Sequence, residues 1–263
     1  MAGSGKNSGQ SGVARAMSIL KAFAGDQIEL SLTEICERTQ LASSTAHRWL
    51  QELVTQGALE RLPSGRYCLS RLIWEIGTRC PRASILRDIA MPVLQDLYQS
   101  TRGHVVLAMP ADDKALVVER LLKNISVQPV GRVGGRLPLH ATCVGKAILA
   151  YAPAEVRKRI LQSKLASYTS YTITSPQCLK DELNDIRKYG YAACHQERTI
   201  GLNSYAVPVL QHGSENILLA AVAVLIEVGP KEADGLLNAL RPAAVQISRA
   251  LRKAPIKYPF DGV

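Results

Sequence analysis

A two-domain α+β chain is predicted by three features of the sequence. Between residues 13 and 57, apolar side chains recur at helical spacing in three short segments, with a tight turn between the second and third. A short hairpin pattern follows at once. From His104 onward, strand-length apolar runs alternate with amphipathic helical segments. The chain's 263 residues suffice for one or two cores, and 47% hydrophobic against 21% charged residues excludes a disordered polymer.

Residues 1–12 are rich in Gly and Ser, with Lys6 the one charged side chain, and are expected to form a disordered arm. Val13, Ala16, Met17, Leu20 and Phe23 then mark a first helix, broken at Gly25-Asp26. Ser31-Leu-Thr-Glu34 has the spacing of a capping box, which opens a second helix with Leu32, Ile35 and Cys36 inward. After the short turn Thr39–Ala42, the stretch Ser43–Gly57 gives a third helix. Its stripe is Ala46, Trp49, Leu50, Leu53 and Gly57. Its other face shows Ser43, Ser44, Thr45, His47, Arg48 and Gln51, and no carboxylate stands in its first two turns. Hydroxyls, an imidazole, a guanidinium and an amide suit phosphates and base edges. An ordinary solvated helix face would look similar, so the flanking elements decide. Two short strands around Pro63-Ser64-Gly65 follow, a turn sequence with Arg61 and Arg66 beside its tip. Three helices and a hairpin in this order form a winged helix-turn-helix, and the candidate DNA-contacting set is Ser43, Ser44, Thr45, His47, Arg48, Gln51 and Arg66.

Leu72, Ile73 and Ile76, a break near Pro81, and then Ile85, Ile89, Leu94 and Leu97 predict two joining helices, with the domain boundary near residue 80. Arg71, Arg79, Arg82 and Arg87 make this segment basic, as a solvated face also would. His104–Met109 and Ala115–Arg120 predict a hairpin across Ala111–Lys114. Val127–Val133 and Arg136–Leu139 are further strand candidates. Cys143–Tyr151 and Ala154–Leu165 have helical period, and Leu179–Tyr189 is an amphipathic helix ending at Gly190. Ser204–Leu210 and Ile217–Glu227 predict strands around His212-Gly213-Ser214, the latter apolar enough to lie centrally. Glu232–Lys253 closes the chain as a long helix.

The formal net charge is +10, which suits a polyanionic partner. Residues 1–80, however, hold nine Lys and Arg against seven Asp and Glu, so the excess lies outside the reading head. Cys36, Cys68, Cys80, Cys143, Cys178 and Cys194 form no CxxC pair, and no leader or membrane-length apolar run appears. Reduced thiols and a cytoplasmic location are expected, with no membrane partner.

Several ordered motifs resemble the IclR family of bacterial transcriptional regulators. They are V-x-R-A-x-x-I-L at Val13–Leu20, S-L-T-E-I at Ser31–Ile35, S-S-T-A-H-R-W-L at Ser43–Leu50 and G-x-x-x-R…Y-x-L at Gly57–Leu69. Beyond the head, Gly134–Ala150 is similar to the family's G-x-x-x-P-L-H…G-K-A-x-L-A segment. Tyr168–Thr174 is similar to its T-x-x-T-I segment, and Gly190 to Pro208 to its G-Y…E…G…P pattern. The resemblance spans Val13 to Leu251. It implies a winged helix-turn-helix over 13–70, a linker helix over 71–84 that helps pair subunits, and an effector-binding domain over 85–253. That domain would carry a GAF- or profilin-like sheet, and a tail would follow over 254–263. It implies double-stranded operator DNA and a small-molecule effector as partners, a homodimer or a dimer of dimers, and no cofactor. A dimer would read two half-sites about one helical turn, or a multiple, apart.

The resemblance also implies effector-lining positions at Leu137, Cys143, Val144, Cys194, Leu202, Ser204, Ala223 and Leu225. Cys143 and Val144 stand where the family often has Gly and a small residue, Cys194 where it often has Asp, and Ser204 where Cys is common. Ala223 and Leu225 replace hydroxyl residues. All but Ser204 make the pocket less polar. A small, strongly hydrated acid fits such a pocket poorly, because desolvating a carboxylate without donors costs several kcal/mol. A larger or more apolar effector, such as an aromatic acid, is expected, with the first amides of the Cys143–Tyr151 helix able to receive one carboxylate. The regulated genes would then form a catabolic operon.

Two rival readings use the same residues. His140 and Cys143, at i and i+3, with Cys194 and His195 would make a metal or redox sensor, although the spacing is loose. Cys143 or Cys194 with a histidine base would make a nucleophilic enzyme. No G-x-S-x-G, H-E-x-x-H or P-loop appears, and Gly131–Gly135 lacks a dinucleotide fingerprint. Isolated cysteines are more often small buried hydrophobes. A non-enzymatic protein without a resident metal is therefore expected.

Overall fold

The computed structural model describes residues 11–25, 27–101, 103–124, 126–211, 217–229 and 233–253. The expectations for most of the arm, for the His212–Ser214 turn and for the tail lie outside these residues. The chain divides into two compact units after Pro81.

The first unit opens with α1 (Gly12–Ala22), where the Ser11 hydroxyl accepts from the Ala14 amide at 3.2 Å. A two-residue strand, β1 (Glu29–Leu30), leads to α2 (Leu32–Thr39). The capping box forms in full: the Ser31 amide donates to Glu34 Oε2 at 2.7 Å, and the Glu34 amide donates to Ser31 Oγ at 3.2 Å. α2 stops at Gln40, which takes the left-handed conformation. α3 (Ser43–Thr55) follows after a short turn and buries Ala46, Leu50 and Leu53. Ile19, Phe23, Leu30, Ile35, Leu59 and Tyr67 complete the core against this stripe. β2 (Leu59–Arg61) and β3 (Tyr67–Leu69) form the hairpin, and β1 adds to it in the order β1-β3-β2. The sequence reading lacks β1, because two residues cannot show an alternation. α4 (Arg71–Gly77) buries no residue and exposes Trp74 and Ile76. The segment assigned to a linker helix over 71–84 thus holds α4, a break, and the first turn of α5 (Pro81–Thr101).

The second unit is built on a six-stranded antiparallel sheet. Its strands are β4 (His104–Ala111), β5 (Lys114–Leu121), β6 (Arg136–Pro138), β7 (Ala192–His195), β8 (Leu202–Gln211) and β9 (Ile217–Glu227). They lie in the order β6-β5-β4-β9-β8-β7. β9 is central and almost wholly buried, as its apolar run requires. Strand alternation sorts the two faces. Val105 and Leu107 of β4 and Val222 and Val224 of β9 pack with α5 and with α9 (Ala233–Arg252). Val106 and Ala108 of β4 and Ala221 and Ala223 of β9 face the other way. That side is covered by α6 (Cys143–Tyr151), α7 (Ala154–Gln162) and α8 (Pro176–Tyr189).

Two expectations need correction. Val127–Val133 is not a strand: Pro129 has no amide to donate, and Gly131 adopts φ +106°. β7 was not expected, since Ala192 and Ala193 carry little strand signal; pairing with β8 creates it.

Candidate functional site

Ser43, Ser44, Arg48 and Gln51 are exposed on α3, and Thr45 and His47 are half-buried beside them. Ala42 caps the helix without a side-chain hydrogen bond, so the positive end of α3 is left open to an anion. Arg48 lies 5.9 Å from the Trp49 ring centroid, which stiffens its stem. The structure separates Arg66 from this set. Its guanidinium donates to Glu34 Oε2 at 2.8 Å and to the Glu29 carbonyl at 3.0 Å, tying the hairpin to α2 and β1. The Ser31 amide and hydroxyl, with Arg66, hold the Glu34 carboxyl below its usual range. Arg66 thus already pairs with the carboxylates of Glu34, at 2.8 Å, and Glu29, at 3.8 Å. Arg61, on β2, is the exposed arginine of the wing.

The second unit contains a cavity between the sheet and the start of α6, with about 50 Å³ of enclosed space that opens to solvent at its mouth. Seven of the eight residues assigned to the effector line it together: Leu137, Cys143, Val144, Cys194, Leu202, Ser204 and Leu225. Ala223 does not; it is fully buried between Val106 and Ala206 in the sheet. Val106 and Val117 add apolar wall, and Pro129, Val130 and Gly131 of the misread segment close one side. Arg120, Glu197, Arg198 and Thr199 also line it and were not in the assigned set. Glu197 carried a signal as the Glu of the motif Gly190 to Pro208. The arginines carried none, since exposed and cavity-lining arginines look alike in sequence.

α6 is placed by its first turn. Thr142 Oγ1 donates to the Pro138 carbonyl at 2.8 Å and accepts from the Gly145 amide at 3.1 Å. A Cβ at Gly145 would lie 2.7 Å from Leu139 Cα, so only glycine lets the helix sit this close to β6. Lys146, next in the chain, is fully buried and meets Glu182 at 2.8 Å and Glu197 at 2.5 Å. Burial opposes its charge, but the carboxylates of Glu182 and Glu197 outweigh that and raise its pKa. Burial, partly offset by Lys146, pushes the Glu182 carboxyl up.

The cysteines behave as packing groups. Burial raises the Cys143 thiol to about 11, with Ser204 and Lys146 opposing, and drives Cys194 well above its normal value. His140 hydrogen-bonds the Ala166 carbonyl at 2.9 Å, and among the described residues no group of three His, Cys, Asp or Glu could hold a metal. At pH 8, Cys143 thiolate should be about a hundredfold scarcer than for an ordinary thiol. Iodoacetamide should therefore modify exposed Cys178 in the native protein while leaving Cys143 and Cys194 intact. Peptide mass spectrometry would show this, and fast labelling of Cys143 would restore the redox reading.

A winged helix with an open recognition-helix end, joined to a sheet domain holding a small-molecule cavity, defines a ligand-responsive DNA-binding regulator. The models of the IclR helix-turn-helix domain and of the bacterial transcriptional regulator IclR C-terminal region match residues 12–63 and 82–249. The chain belongs to the IclR family of transcriptional regulators. HTH-type transcriptional regulator BhcR of Paracoccus denitrificans is 30% identical over 241 residues, covering 90% of this chain and 84% of that protein. An IclR homologue of Microbacterium hydrocarbonoxydans, crystallised with 4-hydroxybenzoate, is 33% identical with a TM-score of 0.83, covering 93% of this chain and all of that one. Thermotoga maritima IclR is 29% identical with a TM-score of 0.68, covering 91% and 98%. These relatives are regulators and not enzymes, and among the described residues no helix is long and apolar enough to cross a membrane.

Proposed function

We propose that this regulator binds operator DNA through Ser43, Ser44, Thr45, His47, Arg48 and Gln51, with Arg61 at the wing, and senses an aromatic organic acid made or consumed by a catabolic operon. The observation that carries the effector class is the cavity wall, apolar on most sides and cationic at Arg120 and Arg198. Apolar walls reward a flat hydrocarbon body, and a guanidinium compensates the desolvated carboxylate. The Cys143 and Val144 amides at the start of α6, which precede the Thr142-capped Gly145 amide, would add a second donor set. The relative crystallised with 4-hydroxybenzoate supports the same class. Leu137, Cys143, Val144, Cys194, Leu202, Ser204 and Leu225 would contact the ligand, while Ala223 would only pack behind them. We also infer a homodimer or dimer of dimers, consistent with the exposed Trp74 and Ile76 on α4.

The reading is tested by fluorescence-anisotropy titration on DNA from upstream of its own gene, against a scrambled competitor near physiological salt. Tight binding that resists the competitor, and that shifts on adding 4-hydroxybenzoate or benzoate, is expected. Equal binding to both duplexes across genome-derived fragments, with and without ligand, would overturn it.

A further inference from the structure

Among the described residues, Glu197 and Arg198 of the cavity wall each have a buried side-chain atom without a hydrogen-bond partner. Glu197 is 6% exposed; its Oε1 meets Lys146 Nζ at 2.5 Å, and its Oε2 is buried with none. Arg198, the next residue, lines the same cavity with its Nε also unsatisfied. A native fold rarely leaves such atoms unmet unless something else meets them. Both residues are anchored from behind. Thr169 and Thr172 hold the Glu197 carbonyl, at 3.3 and 2.7 Å, and the Tyr168 ring lies 4.1 Å from the Arg198 guanidinium. Lys146 cannot quench Glu197 fully, because Glu182 shares it at 2.8 Å. One wall of the cavity therefore offers a donor and cation beside an acceptor and anion.

We infer that the effector carries, besides its acid group, a hydrogen-bond donor that reaches Glu197 Oε2. The inference rests on the aromatic-acid reading and adds a second recognition group to it. The carboxylate belongs at the arginines, since beside Glu197 it would face a like charge in a dry site. The donor belongs at Glu197, where a phenol O–H or aniline N–H supplies the missing hydrogen. A methyl ether at the same place has no hydrogen to give and leaves Oε2 buried and unpaired. Glu197 is thus the specificity-determining residue for ring-hydroxylated or ring-aminated acids.

Isothermal titration calorimetry of the unmodified full chain tests this with benzoate, 3- and 4-hydroxybenzoate, 4-aminobenzoate and 4-methoxybenzoate. At least one donor-bearing acid should bind about 10- to 100-fold more tightly than benzoate and 4-methoxybenzoate, the usual worth of a hydrogen bond to a charged group. Glu197→Gln, if folded by circular dichroism, should reduce that ratio. Equal affinity for all five acids would overturn the inference and leave the aromatic-acid reading standing. Binding of none, by a protein that still binds its DNA, would overturn both.

Discussion

Replacing Lys146 with Met should destabilise the effector-binding unit more than any other single change at the site. The ammonium is fully buried between Glu182 and Glu197, and the variant leaves their carboxylates without it. Breaking a buried ion pair from one side costs about 3–5 kcal/mol, which for a unit of this size lowers the melting temperature by roughly 10 °C. The loss should depend on pH in a defined direction. Burial already raises the Glu182 pKa above its ordinary 4.5 despite Lys146, and removing the cation raises it further. An acid whose pKa is raised on folding adds stability below its unfolded value and loses it as pH climbs through its folded value. The deficit should therefore be large at pH 7.5 and shrink toward pH 5. Thermal melts at both values decide it; an equal deficit would show that Met disturbs packing and that charge is not the cause.

Arg48→Ala should weaken operator binding by about 10- to 100-fold while leaving the melting temperature and ligand affinity unchanged. Arg48 is exposed on α3 and makes no ion pair among the described residues, so the fold loses little beyond its contact with the Trp49 ring. A salt titration separates two roles. If the guanidinium meets a phosphate, the slope of log affinity against log salt falls by about one, and the loss is the same on every duplex. If it reads a base edge, the loss falls on the specific site and the slope barely moves. Arg66→Ala should behave differently, destabilising the head by detaching the hairpin from Glu34 and Glu29. Normal operator binding by Arg48→Ala would remove α3 from the groove.

The most legible elements were those whose signals are local. The Ser31–Glu34 capping box, the stripe of α3, the α6 segment and the β9 run are each written in a few adjacent residues, and the structure places them at the expected positions. β1 was invisible because it is two residues long and pairs with a strand far along the chain, and β7 because only its pairing with β8 makes a strand of Ala192 and Ala193. Residues 127–133 carry Val127, Val130 and Val133 and so imitate a strand, but Pro129 and Gly131 turn the backbone into a cavity wall instead. Most of the cavity's apolar lining followed from ordered family motifs. Arg120, Arg198 and the unmet oxygen of Glu197 did not, because their significance lies in burial and distance.

The alternation along β4 has a mechanical consequence. Val106 lines the cavity, while its neighbours Val105 and Leu107 pack on the opposite face with Leu86, Ala90 and Leu94 of α5. A single strand's thickness therefore separates the cavity from α5. An enlarged side chain at position 106 subtracts from the volume a ligand fills. The same enlargement at 105 or 107 leaves that volume alone and alters how α5 is seated. Ligand affinity and seating of α5 can thus be tuned one residue apart, by choosing which way the side chain points.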